Sequence, residues 1–177
     1  MQLNYNTEDL VLRAKQKDQL AMKLLYEKAA KSMFNLSFRI TNNVEDSKDV
    51  IQEAFLTSFN QLQKLAQPKK YFGWLKRIVI NRSLKVAKSR VHYQELNQLP
   101  IVETTSESPY ESFTPEILKN AIQGLPNGCR EIFTLFLLED YKHKEIAELL
   151  EIKVSTSKSQ YRYALKLLRY NLEKHKV

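Results

Sequence analysis

Apolar residues recur at spacings of three and four along most of the chain, which is the period of an amphipathic helix. The clearest run follows Asp18, a residue type that often caps the N-terminus of a helix. Its apolar positions are Met22, Leu25, Tyr26, Ala29, Met33, Leu36 and Ile40. The pattern predicts one long helix that begins at this cap.

Three more helices are predicted in the N-terminal half. Asn6 or Thr7 can cap a short first helix. Another helix spans about residues 45–65 and ends before Pro68, because the residue before a proline resists the α conformation. The last of the four runs over about residues 71–90.

The residue pattern of the C-terminal part predicts a second group of helices. Thr114 followed by Pro115 is a strong start signal, since it places an N-cap before proline at the first helical position. A helix over about residues 129–138 follows, and then two helices that a short break at residues 151–153 separates. This last pair is typical of a helix-turn-helix, and its first member has an apolar face made of Ile146, Leu149 and Leu150.

Residues 92–113 differ from both flanks. This segment is rich in Ser, Thr, Glu and Pro and has no helical period. Such a composition buries too little apolar surface to order itself and indicates a linker. We therefore expect an all-α protein with two small helical domains, residues 1–91 and 114–177, joined by a flexible linker, the second being a helix-turn-helix domain.

Charge and cysteine content narrow the function classes. The 177 residues carry a formal charge of +8, which favours a polyanionic partner, although solubility alone also explains it. No apolar run reaches the ~20 residues that span a bilayer, so no membrane insertion is expected. Residues 1–7 lack the form of a secretory signal, and Cys129 is the single cysteine, which excludes an internal disulfide. These features indicate a cytoplasmic protein.

The second helix of the helix-turn-helix carries two kinds of polar residue. One stripe contains the cations Lys158, Arg162, Lys166 and Arg169. Its N-terminal turns contain Ser155, Thr156, Ser159 and Gln160, at the end of a recognition helix that meets base edges in the major groove. The pattern favours DNA binding, with cations on phosphates and hydroxyls on bases. The alternative is a solvated helix that closes a bundle.

Two faces in the N-terminal half are open to more than one interpretation. Asp46, Asp49 and Glu53 form an acidic face that suits a basic partner surface, an ordinary wet face or, least of all, a Mg²⁺ site. The fourth helix mixes aromatic and cationic residues, which can hold single strands, or its aromatics can be core. No catalytic triad, phosphate-binding glycine loop or zinc spacing is visible, so neither an enzyme nor a cofactor is expected.

Taken in order, these segments resemble the extracytoplasmic-function group of bacterial sigma factors, the promoter-recognition subunits of RNA polymerase. The polymerase-binding helix of that family resembles "EDSKDVIQEAFLTSF", and its minus-ten segment resembles "YFGWLKRIVINRSL". Its region four, whose helix-turn-helix reads the minus-thirty-five element, resembles "GLPNGCREIFTLFLLEDYKHKEIAELLEIKVSTSKSQYRYALKLL". The resemblance covers most of the chain outside the linker and the termini.

The resemblance implies a role for each matching residue. Docking on core RNA polymerase would use Asp46, Asp49, Gln52 and Glu53. Minus-ten DNA would be met by Lys69, Lys70, Tyr71, Trp74, Asn81, Arg82, Lys85 and Lys88, with the loop over residues 64–71 capturing a flipped base. Minus-thirty-five DNA would be met by Ser155, Thr156, Lys158, Ser159, Arg162 and Lys166. The resemblance also implies that an anti-sigma factor holds the protein inactive.

Three positions depart from the family pattern. Glycine is usual where Glu151 stands, serine where Lys153 stands, and a buried aliphatic residue where Ser157 stands. A poorer cap costs about 1 kcal/mol, so the departures bear on where the recognition helix begins.

Two rival functions follow from the same residues. A free-standing helix-turn-helix regulator, with an N-terminal domain that binds a ligand or dimerises, would bind a short duplex without polymerase. A metal-dependent nucleic-acid enzyme would use Asp46, Asp49 and Glu53 and would lose divalent-metal binding when they are replaced.

Overall fold

The computed structural model describes residues 6–88 and 114–173, and within these ranges it contains helices and turns but no strand. The chain divides into two compact units, residues 1–86 and 87–177. The predicted linker over residues 92–113 lies outside the described residues. The all-α class is confirmed, whereas the domain boundaries drawn from the sequence stay predictions.

Four helices and two short 3-10 turns make up the first unit. The helices are α1 (Thr7–Lys15), α2 (Gln19–Thr41), α3 (Val44–Asn60) and α4 (Tyr71–Lys88), and the turns are Leu62–Lys64 and Pro68–Lys70. The sequence predicted a third helix that continues to residue 65. The chain instead tightens after Asn60, where i→i+3 hydrogen bonds replace the α pattern.

Side-chain caps fix where the first three helices begin. Asn6 accepts a hydrogen bond from the Glu8 backbone N–H, and Asp18 accepts from the backbone N–H groups of two residues of the first turn of α2. Asp18 was predicted as a cap, and Asn6 was one of the two residues predicted for the first cap. The cap of α3 is Asn43, which accepts from the Asp46 N–H at 3.0 Å. Each cap satisfies backbone donors that have no partner within the helix.

Apolar side chains from all four helices form the core of the first unit. Leu10 of α1, Leu25 and Ile40 of α2, Ala54 of α3 and Leu75 of α4 are fully buried. Within α2 and α3, the buried positions follow the spacing of three and four that the sequence predicted. A buried hydrogen bond, from the Ser83 hydroxyl to the Ser37 hydroxyl at 2.9 Å, joins α4 to α2. This bond satisfies two polar groups that would otherwise be costly to bury.

The second unit contains four helices and one π-helical turn. The helices are α5 (Pro115–Gln123), α6 (Asn127–Phe133), α7 (His143–Leu150) and α8 (Val154–Glu173), and the π turn is Thr134–Leu138. Thr114 caps α5 as predicted. The helix predicted over residues 129–138 is α-helical only to Phe133, and the π turn replaces its second half.

The core of the second unit packs α6 against α8. Leu125, Cys129, Phe133 and Ala164 are buried together, and the Cys129 thiol donates to the Gln160 side-chain oxygen at 2.8 Å. Burial raises the pKa of this thiol to about 12. The interpretation of Cys129 as a small buried residue is confirmed.

The turn between α7 and α8 forces Glu151 into the left-handed region, at φ 58° and ψ 41°. This is the position where glycine is usual in the resembling family, and glycine adopts this conformation without steric cost. Lys153 stands immediately before α8, and its carbonyl accepts the first helical hydrogen bond from the Ser157 N–H at 3.0 Å. Helix α8 therefore begins at Val154.

Among the described residues, none of the helices is both long and apolar enough to cross a bilayer.

Candidate functional site

One face of α3 carries exposed polar and apolar side chains together. Asp49, Gln52, Glu53 and Leu56 are all exposed and follow one another at spacings that place them on one side of the helix. Asp46, predicted to belong to the same face, is half-buried at the N-terminal turn. We call the four exposed residues the α3 face.

An apolar groove adjoins the α3 face. It has a volume of about 760 Å³ and lies between α2 and α3, where Tyr26, Phe34 and Phe55 line it together with Gln52 and Leu56. A second groove of about 630 Å³ shares Tyr26 and Leu56 with the first. Tyr26 is 45% exposed and Leu56 57% exposed, so both offer apolar surface to a partner. Exposed apolar surface of this kind marks sites of protein association.

Sequence reasoning missed Leu56. The signal was present, because Leu56 lies three residues after Glu53 and seven after Asp49, and hence on the acidic face rather than the buried one. Tyr26 was assigned to the apolar set of α2, but the structure leaves it half open at the groove.

Arg82 does not point freely toward a ligand. Its guanidinium forms an ion pair with the Glu53 carboxylate and donates to the Thr57 hydroxyl at 2.7 Å. A residue predicted to contact minus-ten DNA is thus joined to a residue predicted to contact polymerase. The two bonds connect α4 to α3.

Exposed polar side chains form a stripe along α4. Asn81, Lys85 and Lys88 are exposed at spacings of four and three. Trp74 is half-buried near the start of the helix, with its ring centroid 6.3 Å from that of Tyr71. Asn81 and Lys85 expose an amide and an ammonium group, which can bond to bases and phosphates.

Tyr71 requires a correction. The sequence placed it at the DNA surface, but it is fully buried and its hydroxyl lies 3.1 Å from the Ser58 hydroxyl. Burial raises the pKa of its phenol to about 12. Tyr71 is therefore a core residue that fixes the start of α4, and its assignment to DNA contact is wrong.

The short segment between α3 and α4 exposes two lysines. Lys69 and Lys70 are exposed in the second 3-10 turn, and the Lys69 ammonium lies 3.6 Å from the Glu8 carboxylate on α1. Gln67 precedes them and is also exposed. Leu62 and Leu65 are buried, so the segment has buried anchors and an exposed tip.

Metal ligands do not gather in the described part of the chain. Within residues 6–88 and 114–173, no group of three or more His, Cys, Asp or Glu side chains is arranged to hold a metal ion. The carboxylates of Asp46, Asp49 and Glu53 are therefore not assembled into the Mg²⁺ site that one interpretation required.

The exposed face of α8 is cationic. Ser155, Lys158, Arg162 and Lys166 are exposed on one side of the helix, while Thr156 and Ser159 are half-buried. The Ser159 hydroxyl donates to the Thr156 carbonyl at 3.0 Å, which leaves its oxygen lone pairs as acceptors. Hydroxyls near the start of α8 and cations further along suit base edges and phosphates, respectively.

Contacts on the buried side of α8 explain how Ser157 is accommodated where an aliphatic residue is usual in the resembling family. Ser157 is fully buried, and its hydroxyl lies 2.9 Å from Nδ1 of His143. The histidine ring stacks on Phe136 at 4.2 Å and meets Tyr161 edge-on at 5.8 Å. Burial and the nearby charge of Lys158 lower the pKa of His143, which favours the neutral ring. The polar group at a normally aliphatic position is thus satisfied.

Comparison with known proteins matches part of the second unit to a described family. Residues 116–168 match the family model described as sigma-70, region 4. This stretch contains α6, α7, the intervening turns and most of α5 and α8.

Relatives align over most of the chain. The ECF RNA polymerase sigma factor SigE of Mycolicibacterium smegmatis is 29% identical over 158 residues, covering 85% of this chain and 61% of its own length. The RNA polymerase sigma factor SigV of Bacillus subtilis is 24% identical, covering 80% of this chain and 84% of its own length. The ECF sigma factor SigW of the same organism is 24% identical and covers 92% and 94%, respectively.

Solved structures share the fold. CnrH, solved in complex with the cytosolic domain of CnrY, has a TM-score of 0.55 at 19% identity and covers 95% of this chain and 97% of its own. The sigma factor RpoE of Bartonella quintana, solved with the anti-sigma factor NepR, has a TM-score of 0.55 at 18% identity, covering 85% and 96%.

Proposed function

We propose that this chain, which belongs to the extracytoplasmic-function group of the sigma-70 family, directs core RNA polymerase to specific promoters. The observation that carries the proposal is the fold of residues 116–168. They match the region-4 description and form a helix-turn-helix whose second helix exposes a cationic stripe. The stripe supplies the charge and the hydrogen-bonding groups that a duplex requires.

The polymerase partner would bind the α3 face. Asp49 and Gln52 offer polar contacts, and Leu56 with the neighbouring groove offers apolar surface to a helical partner. This combination supports docking of a coiled coil, whose ridges of side chains pack into a groove between two helices. Acidic residues at the edge would add specificity for a basic partner surface.

Promoter DNA would be held by two separate surfaces. The α4 stripe, with Asn81, Lys85 and Lys88, would meet the minus-ten element, and the exposed face of α8 would meet the minus-thirty-five element. Binding at one surface raises the effective concentration of DNA at the other, because both belong to one chain. Polymerase would set their separation, so promoter spacing becomes part of the recognition.

The protein itself would perform no bond chemistry. It would select the DNA and hold a melted base, whereas polymerase makes RNA. Unstacking a base costs a few kcal/mol, which contacts in a fitted pocket offset.

An anti-sigma factor would regulate this chain. Both CnrH and RpoE were solved with a bound protein, which for RpoE is an anti-sigma factor. A regulator that covers the α3 groove would exclude polymerase, since the same apolar surface cannot serve two partners at once.

The test is transcription in vitro with core polymerase on genomic fragments. We expect the holoenzyme to start RNA at discrete sites that core polymerase alone ignores. If the holoenzyme is no more selective than the core enzyme, the proposal fails. Binding of the free chain as a dimer to a short palindromic duplex, without polymerase, would instead favour the free-standing regulator.

A charge reversal tests the α3 face. Asp49→Arg should weaken binding to core polymerase in a pull-down while the affinity of the chain for a duplex stays unchanged. Asp9→Arg is the matched control, because Asp9 is an equally charged, exposed residue on α1. Parallel loss of both activities in Asp49→Arg, or an equal loss in Asp9→Arg, would remove the α3 face from the polymerase interface.

A further inference from the structure

The segment between α3 and α4 is anchored at both ends. Leu62 and Leu65 insert into the core at the first end, with 1% and 9% of their surface exposed. Tyr71 is fully buried at the other end. Between these anchors, Gln67 and the two lysines that follow Pro68 form an exposed tip. We call residues 61–70 the α3–α4 loop.

Two reciprocal hydrogen bonds join this loop to the end of α1. The Lys15 ammonium donates to the Leu65 backbone carbonyl at 2.8 Å. In return, the Gln63 side-chain amide donates to the Lys15 backbone carbonyl at 2.7 Å. In each bond a side chain of one segment donates to a backbone carbonyl of the other segment. We call this pair of bonds the clamp, and it joins residues about 50 positions apart in sequence.

The clamp uses groups that the end of a helix leaves available. Lys15 is the last residue of α1, and its carbonyl has no partner within the helix. The Gln63 amide supplies that partner. The Lys15 ammonium also lies at the end of the helix that carries partial negative charge, where a cation is favoured. The Lys15 carbonyl at the end of α1 is thereby hydrogen-bonded to the loop instead of to water.

We infer that Lys15 and Gln63 are positioning residues that hold the α3–α4 loop in its base-capturing shape before DNA arrives. The inference rests on the proposed function, in which a melted base is held, and on the family resemblance, which assigns that base to the loop over residues 64–71. Neither residue has to touch DNA. A loop already held in one conformation loses less freedom when it binds, so the opened strand is captured more readily.

The positioning role predicts consequences that differ from those of a role in stability alone. Gln63 is exposed and Lys15 is half-buried, whereas the buried leucines anchor the loop independently of the clamp. Loss of the clamp should therefore loosen the tip and leave the core in place. Promoter opening should suffer while the initial duplex complex does not.

The experiment uses the holoenzyme on a promoter identified by transcription from genomic fragments. A fluorescent base analogue replaces each minus-ten base of the non-template strand in turn, because its emission rises when the base leaves the stack. Stopped-flow fluorescence then gives the opening rate, and filter binding at low temperature gives the affinity of the closed complex. Circular dichroism gives the melting temperature of each free variant.

Lys15→Ala and Gln63→Ala should each slow opening about fivefold, the equivalent of one ordinary hydrogen bond. Closed-complex affinity should stay at the wild-type value. Lys15→Arg should restore most of the rate, since a guanidinium can donate to the same carbonyl. Lys17→Ala is the matched control, because it removes a lysine two positions away and should open DNA at the wild-type rate.

Three results would overturn the inference. They are wild-type opening rates in both alanine variants, an equal loss of closed-complex affinity, or Lys15→Arg opening as slowly as Lys15→Ala. In each case wild-type holoenzyme would still open the promoter, so the proposed function would stand. If the wild-type protein opens no promoter with core polymerase, the proposed function fails first.

Discussion

Replacing Glu151 by glycine should stabilise the second unit. Glu151 lies at φ 58° and ψ 41°, a left-handed conformation in which its Cβ crowds the neighbouring carbonyl. That crowding costs a non-glycine residue roughly 1–2 kcal/mol. Glycine removes the cost but adds about 0.5–1 kcal/mol of conformational entropy to the unfolded chain. Relative to alanine at this position, the net gain is therefore between about 0 and 1.5 kcal/mol.

The right reference is Glu151→Ala rather than the wild type. Alanine removes the carboxylate as glycine does but keeps the Cβ, so the difference between the two variants isolates the backbone term. For a domain of 60–100 residues, 1 kcal/mol corresponds to about 4–8 °C in the melting temperature. Glu151→Gly should therefore melt a few degrees above Glu151→Ala.

Thermal unfolding of the full chain, followed by circular dichroism, measures this difference. Hydrogen exchange of the α7 and α8 amides locates it, and Trp74 fluorescence, which reports the first unit, should give the same midpoint in both variants. Equal melting temperatures for the glycine and alanine variants would show that the left-handed turn carries no strain, and the reasoning would be wrong.

Three further predictions concern the second unit. Burial and the charge of Lys158 lower the pKa of native His143, so its contribution to stability is complete above the unfolded value of about 6.5 and is lost as the pH falls below that value through the lower folded pKa. Melting temperatures between pH 8 and pH 5 should therefore fall less steeply in His143→Leu than in wild type. The Cys129 thiol, buried and with its pKa raised to about 12, should resist alkylation at pH 8 until denaturant unfolds the chain, and rapid labelling of native protein would contradict its burial. Arg162→Ala should lower promoter affinity and reduce the slope of log affinity against log salt by about one phosphate contact, whereas an unchanged slope would remove Arg162 from the interface.

Local rules predicted most of the helices and their starts. The caps at Asp18 and Thr114 were readable because a side-chain acceptor before an amphipathic run acts within a few residues. The exposed cations of α8 could also be predicted locally, since their spacing alone places them on one side of a helix. The π turn was not readable, because it continues an apolar run that also suits an α-helix.

Contacts between helices decided what the local pattern left open. An aromatic residue beside lysines suits either base stacking or the core. Tyr71 lies in the core, where its hydroxyl is 3.1 Å from the Ser58 hydroxyl of α3. The sequence showed Ser157 only as a departure from the family pattern. Its hydrogen-bond partner, His143, lies fourteen positions away on another helix, so the local pattern did not reveal the bond. The clamp between Lys15 and Gln63 likewise depends on how α1 packs and has no signature in either segment.

The Arg82 guanidinium, which the family resemblance assigned to DNA contact, forms an ion pair with the Glu53 carboxylate of α3. A change at Glu53 consequently affects two helices, since it removes a carboxylate from α3 and leaves the Arg82 guanidinium of α4 with its hydrogen bond to Thr57. Under the proposed function, a substitution at either position would affect both the polymerase-binding face and the DNA-binding face. Under that function, a substitution at Glu53 that leaves polymerase binding intact would still alter the surroundings of a residue proposed to meet the DNA.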